Sequence, residues 1–336
     1  MSAVLARLRL AHLPTPLVKP PRLADRFGVD LWIKRDDVTG GAESGNKIRK
    51  LEYLLADALR VGADTLVTCG GLQSNHARAT ATVAAKLGLR CVVLLRTTGE
   101  ELDAKKVPPV GNLFLCRLVG ADVRLITVAQ YRERNSLMRA VAAELSAAGE
   151  RPYVIPEGGS NGIGSLGYVE AMREIRTQID GGACGGAKPF DVVAHACGSG
   201  GTAAGVALGA SRFEVASKVV PFAVCDDKRT FEEAIARITI EARAAGEGLG
   251  EPAETVVDDR EKGPMYGVAS DEQRALIVAV ARATGLVLDP VYTGKAFAGV
   301  VRLAREGALD GKRVLFLHTG GLPGLLAESL ALAPQL

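Results

Sequence analysis

The chain has 336 residues, 48% hydrophobic and 24% charged, with a formal net charge of +3. That is enough apolar material for a large core in two lobes. The basic residues form no run and only 4% of residues are aromatic, so nucleic acid is not an expected partner, whereas a small anion is.

The opening MSAVLARLRLAHLPTPL alternates Arg and His with apolar residues, unlike a secretory signal, and no later segment has the length of a membrane span. A cytoplasmic chain that does not enter a membrane is expected. Six cysteines, none in CxxC or zinc-ligand spacing, read as reduced buried thiols.

In chain order, the first informative element is residues 44–59, SGNKIRKLEYLLADAL. Ile48, Leu51, Leu55, Ala58 and Leu59 fall on one helical face, which places Lys47 in the first turn. The positive end of the helix dipole disfavours an ammonium there and favours the neutral amine that an imine requires; a solvated surface lysine is the competing reading. Lys50, three residues on, shares a helical face with Lys47 and can reach a phosphate, or can pair with Asp57 or Glu43.

A strand over 64–69 then leads through two glycines into a helix over 76–87, starting near Ser74 or Asn75. Gln73, Ser74, Asn75 and His76 are more polar groups than one N-cap needs. Further strands are expected at 91–95, 123–128 and 153–156, with helices at 112–119 and 130–148. This alternation marks βα units feeding parallel sheets, so the class is α/β, and residues 52–162 form a candidate small lobe. Residues 181–186 (GGACGG) read as a surface loop.

The strand at 191–197 runs into ACGSGGTAAG. Glycines there let backbone N–H groups close on an anion, Ser199 and Thr202 add hydroxyls, and a helix N-terminus follows. Gly198, Gly200 and Ala203 also fit a loose dinucleotide pattern, so a nicotinamide oxidoreductase is the rival reading; Glu214 is early and Asp226 late for its ribose acid. The last strand is expected at 313–318.

Together these segments resemble the pyridoxal-phosphate enzymes of fold type II, the tryptophan-synthase β-like fold. Within them the chain is similar to the family of 1-aminocyclopropane-1-carboxylate (ACC) deaminase and D-cysteine desulfhydrase, more to the latter. The likeness rests on LPTPL (13–17), IKRDD (33–37), GNKIRKLEYLL (45–55), GGLQSNH (70–76), YVIPEGGSN (153–161), GSGGT (198–202), LDPVYTGKA (288–296) and HTGGLPG (318–324).

The resemblance implies two open, twisted, mainly parallel sheets with flanking helices, a small lobe of 52–162, a large lobe of 1–51 with 163–336, and a homodimer. It makes Lys47 the imine lysine and brings Asn75 to the cofactor's ring hydroxyl. Lys50, Ser199, Gly200, Gly201 and Thr202 would take the phosphate. Ser74, with Gln73 beside it, would face an amino-acid substrate together with Asn75, Tyr292 and Thr319. Tyr292 would sit over the reacting centre, and Tyr266, in GPMYG, matches a second family tyrosine.

Thr293 and Thr319 stand where ACC deaminases typically carry Glu and Leu. A carboxylate against the ring nitrogen deepens the electron sink that opening a cyclopropane demands; a threonine leaves a shallower one, enough where the β-carbon bears a leaving group. The implied reaction removes the α-proton by the freed Lys47 amine, a tyrosine or Ser74, expels the β-substituent, and ends in pyruvate and ammonia. D-cysteine or β-chloro-D-alanine is the expected substrate. L-cysteate sulfo-lyase, dehydratase and ACC deaminase activities on the same scaffold are the alternatives.

Overall fold

The computed structural model describes residues 6–99 and 101–336. In order, its strands and helices begin with β1 (Leu17–Val18), α1 (Pro21–Phe27), β2 (Asp30–Lys34), α2 (Lys47–Arg60), β3 (Thr65–Gly71), α3 (Asn75–Lys86), β4 (Arg90–Arg96) and α4 (Gly111–Leu118). They continue with β5 (Asp122–Ile126), α5 (Val128–Arg132), α6 (Arg134–Ala147), β6 (Pro152–Val154), α7 (Gly162–Asp180), β7 (Phe190–Cys197), α8 (Gly201–Arg212) and β8 (Ala216–Ala223). The last are α9 (Lys228–Ala245), β9 (Glu254–Thr255), α10 (Asp271–Thr284), α11 (Thr293–Arg305), β10 (Arg313–Leu317), α12 (Leu322–Ala327) and α13 (Ser329–Leu332).

The strands form two sheets, ordered β1-β2-β10-β7-β8-β9 and β5-β4-β3-β6. All pairings between these strands are parallel except β1 with β2. Both faces of each sheet are covered, and the period-2 alternation of strand side chains shows it. In β10, Val314 and Phe316 join one apolar cluster while Leu315 and Leu317 join another. In β4, Cys91, Val93 and Leu95 face one way and Val92 and Leu94 the other.

The expected α/β class and the strands starting near 64, 91, 123, 153, 191 and 313 are all present. Four further strands carry no clear sequence signal: DLWIK (β2) is bounded by charges, ASKVVPFA (β8) holds a proline, and β1 and β9 have two residues each. Pro221 is tolerated on the side of β8 that faces the sheet edge, where its carbonyl accepts from Asp258 N at 3.1 Å. The helix expected over 130–148 is two, α5 and α6, meeting at Glu133.

Two helices that carry site residues, α2 and α8, are clamped to α7 by glycines. A Cβ at Gly167 of α7 would lie 2.9 Å from Lys50 N of α2, and one at Gly209 of α8 would lie 2.9 Å from Val169 Cα of α7. Helix α7 is thus a spine with backbone close against both neighbours. Beside it, Arg49 of α2 is buried and pairs with Asp36 at 2.8 Å and Glu174 at 3.0 Å, while Tyr168 donates to Asp36 and Lys34 to Glu174.

All six cysteines are free and five are buried, Cys225 being half-buried. No helix among the described residues is long and apolar enough to cross a membrane. Residues 181–186 form turns and bends, as expected of a loop.

Candidate active site

The carboxyl ends of β3 and β7 and the starts of α2, α3 and α8 converge on one cavity. Lys47 is the first residue of α2. The turn before it is fixed: Gly45 N donates to Thr39 Oγ1 at 2.8 Å, and Asn46 N donates to the Thr319 carbonyl at 3.0 Å. Gly45 has φ +111°, a backbone region that glycine enters freely.

Burial lowers the Lys47 amine to about 8, against opposing pulls from Glu157 and Cys197. A substantial neutral fraction therefore exists near physiological pH. The surface-lysine reading fails, since Lys47 lines the cavity beside Asn75, Ser199 and Tyr292.

Lys50 is buried, and its Nζ donates to the Gly158 carbonyl at 3.1 Å and to Ser160 Oγ at 3.2 Å. Neither Asp57 nor Glu43 pairs with it: Asp57 takes Arg60 and Tyr153, Glu43 takes Lys86. Burial and the neighbouring Lys47 push Lys50 well below the usual lysine value.

Ser160 Oγ also lies 2.8 Å from Ser199 Oγ and accepts from Gly201 N at 3.3 Å. Gly200 turns the chain with φ +85°. A Cβ at Gly201 would meet Ser160 Oγ at 2.7 Å and Lys50 Nζ at 2.9 Å. Thr202 is tied to Asn46, whose Nδ2 donates to its Oγ1 at 3.2 Å.

Ser74 caps α3, its Oγ accepting from Ala77 N at 3.2 Å. The Asn75 carbonyl oxygen accepts from Asn112 Nδ2 at 3.1 Å, which leaves its NH2 as the end turned to the cavity it lines. Gln73 is placed differently from Ser74 and Asn75. Its amide donates to the Val110 carbonyl at 3.1 Å and accepts from Asn112 N at 2.9 Å, so it holds the start of α4 and lines neither this cavity nor the cleft outside it.

The Tyr266 and Tyr292 hydroxyls lie 2.6 Å apart, with rings edge to face at 6.0 Å. Burial raises both, so both stay protonated at neutral pH. The two threonines separate. Thr319 lines the cavity; Thr293 is fully buried, its hydroxyl donating to Asp289 at 2.6 Å and accepting from Asp289 N at 2.8 Å. The Asp289 carboxylate also accepts from the backbone N–H groups of Val291, Tyr292 and Thr293, and so fixes the turn that carries Tyr292.

Outside the cavity lies a cleft of about 640 Å³ shared by Lys47, Ser74, His76, Arg96, Tyr266 and Tyr292. The Thr68 hydroxyl donates to Ile155 O at 2.9 Å and so accepts from His76 Nε2 at 2.8 Å. His76 is neutral, held well below its usual value by burial and by Lys47 and Lys50, and its Nδ1 has no partner among the described residues. Of these neighbours, His76 stands in the sequence only as one of the excess polar groups before α3, without a role. Asn46 and Ser160 lie inside quoted motifs; Arg96 had no local signal.

Pyridoxal phosphate requires an available amine, a nest for a phosphate and hydrogen bonds at the ring's edges. The residues fit it: Lys47 supplies the amine, residues 199–202 make a cradle that a Cβ at Gly201 would fill, and Asn75 and Thr319 line the wall. The β7–α8–β8 unit with Asp226 after it has the outline of a dinucleotide site, but a lysine amine in the same cavity serves no purpose there.

Comparison with known proteins agrees with this fit. A model of the family described as "Pyridoxal-phosphate dependent enzyme" matches residues 8–320. The chain is 43% identical over 326 residues to a mitochondrial bifunctional D-cysteine desulfhydrase/ACC deaminase of Arabidopsis thaliana, covering 94% of this chain and 78% of that one. It is 41% identical over 324 residues to a putative ACC deaminase of Thermotoga maritima, covering 96% and 98%. The crystal structure of an ACC deaminase homologue superposes with a TM-score of 0.87 at 38% identity, over 98% of this chain and 96% of that one. The chain is a pyridoxal-phosphate-dependent lyase of fold type II and belongs to the family of the ACC deaminases and D-cysteine desulfhydrases.

Proposed function

We propose that the protein is a β-eliminating lyase that converts D-cysteine, or a close analogue such as β-chloro-D-alanine, to pyruvate, ammonia and sulfide or the corresponding leaving group. The observation that carries this is the wall of the inner cavity, which Thr319 lines and to which no carboxylate among the described residues contributes. When bound, pyridoxal phosphate supplies the electron sink that makes an amino acid's α-proton removable. A neutral partner at the ring nitrogen suits a substrate whose β-carbon already bears a leaving group. The Arabidopsis relative carries both activity names, D-cysteine desulfhydrase and ACC deaminase, and the Thermotoga relative the second alone, so the choice between the two is a narrow one.

In this reading Lys47 holds the cofactor and, once released, its Nζ takes the α-proton; an amine lowered to about 8 is available as a base. Lys50, Ser199, Gly200, Gly201 and Thr202 hold the phosphate. Ser74 and the start of α3 receive the substrate carboxylate, with Asn75 on the ring hydroxyl. Tyr292 delivers or withholds a proton over the reacting carbon, its hydroxyl oriented by Tyr266. Gln73 and Thr293 act as positioning residues, through Asn112 and Asp289.

Free, mostly buried thiols suit a reducing cytoplasm. Exposed Phe114 and Leu118 on α4 beside exposed Leu322 and Leu326 on α12 suit a homodimer, and the two sheets suit a small lobe of 52–162 against the remainder. The test is a panel on the holoenzyme: D- and L-cysteine, β-chloro-D-alanine, ACC and L-cysteate, scoring pyruvate, α-ketobutyrate, sulfide and sulfite. Pyruvate and sulfide from D-cysteine are expected. No pyruvate from D-cysteine with ready turnover of ACC or L-cysteate would end the proposal.

A further inference from the structure

Along one wall of the outer cleft runs a stack of alternating rings and cations. The Arg96 guanidinium lies over both Tyr131 and Tyr266, 4.9 and 5.3 Å from the ring centroids, and that of Arg134 lies 5.0 Å from the Tyr131 centroid. The two cations differ in partner. Arg134 is neutralised by Glu157 at 2.7 Å, and Tyr131 donates to the same carboxylate. Arg96 has no acidic partner among the described residues, and its buried Nε makes no hydrogen bond there.

A guanidinium in cation–π contact with two aromatic rings keeps N–H groups available to an oxyanion. The position of Arg96 is also set. It closes β4, in register with Gly71 at the end of β3, one strand away from the loop that leads into Ser74 and the start of α3. Neighbouring strands lie about 4.8 Å apart. Gly71 is itself part of this wall, since a Cβ there would press on Tyr266 at 3.0 Å.

We propose that Arg96 is a subsite for a negatively charged β-substituent of the amino-acid substrate, such as a sulfonate. The inference rests on the reading above, in which Lys47 meets the α-carbon and α3 receives the α-carboxylate. Lys47, Ser74 and Arg96 line the same cleft, so a ligand anchored that way can turn its side chain toward Arg96. The Tyr266 hydroxyl, bonded to Tyr292, joins this subsite to the reacting centre.

The experiment uses holoenzyme and two ligands of one shape, cysteate and its primary sulfonamide, each as both enantiomers. Binding is read from the change in visible absorption as the amino acid displaces Lys47. Wild type is expected to prefer the sulfonate by about tenfold to a hundredfold, the worth of a charge-assisted hydrogen bond. Arg96→Gln should remove that preference while leaving sulfonamide affinity within about threefold, and Arg96→Lys should keep part of it.

No charge preference in wild type, or equal loss for both ligands in Arg96→Gln, would overturn the proposal. If Arg96→Gln does not fold, Arg96→Lys decides: a reduced preference supports the subsite and an unchanged one removes it. Failure of D-cysteine turnover with the sulfonate preference intact removes the D-cysteine reading alone.

Discussion

At Lys47 the chemistry hangs on a single proton. With its value lowered to about 8, uptake of pyridoxal phosphate by the apo chain should accelerate as pH rises through about 8 and then level off, measured as growth of visible absorption. A midpoint near 10.5, the ordinary lysine value, would count against the buried site. The sign for stability follows. A lysine lowered in the folded state destabilises the apo fold while charged, and that cost fades as pH climbs from about 8 toward the unfolded value, so apo stability rises over that window. The two threonines offer a second check at this scale. Thr293→Val strips two hydrogen bonds from Asp289 and should cost about 1–3 kcal/mol in a denaturant titration. Thr319→Val should instead shift the holoenzyme's visible absorption maximum, with the smaller stability loss of the pair.

Among the elements, α2 shows what a sequence reveals and what it conceals. Its apolar stripe, and the glycines at 198, 200 and 201 ahead of α8, have local periods and spacings, so the helix that starts at Lys47 and the glycine turn at the cavity are legible from the chain alone. The partners of Arg49 at 36 and 174, and Ser160 under Lys50, are contacts between distant segments with no local mark. Gln73 and Thr293 sit within legible motifs, yet only the packing of α4 and the turn at Asp289 shows what their side chains hold. Arg49→Gln should cost about 3–5 kcal/mol, because Asp36 then keeps a buried charge without its cation. Arg49 and Lys34 hold Asp36 and Glu174 below the usual carboxylate range, so their stabilisation is complete above that range and is lost as pH falls through the lowered values. Wild type should therefore resist acid unfolding better than Arg49→Gln. If residues 199–202 hold the phosphate as proposed, Gly201→Ala should weaken cofactor binding about tenfold or more by pressing a methyl on Ser160 and Lys50.

Across the whole molecule, the site is assembled from two sheets and depends on how their helices are fixed to one another. Strands β2 and β8, hidden in the sequence by charge and by Pro221, widen the larger sheet until β7 and β10 lie inside it, and the loops after β7 and β10 reach the cavity. Helices α2, which starts at Lys47, and α8 are then joined through α7 by Gly167 and Gly209. Gly167→Ala sets a methyl against the backbone of Arg49 and Lys50 and should cost about 1–3 kcal/mol while also lowering cofactor occupancy, although Gly167 lines no part of the cavity.

That glycine joint also governs time. Side chains can rotate out of one another's way in nanoseconds, but backbone pressed on backbone separates only when whole helices part. Escape of bound cofactor from the intact fold should then be slow at ordinary temperature and steepen with heating as unfolding does. Dialysed holoenzyme should keep its colour for as long as the three helices stay together.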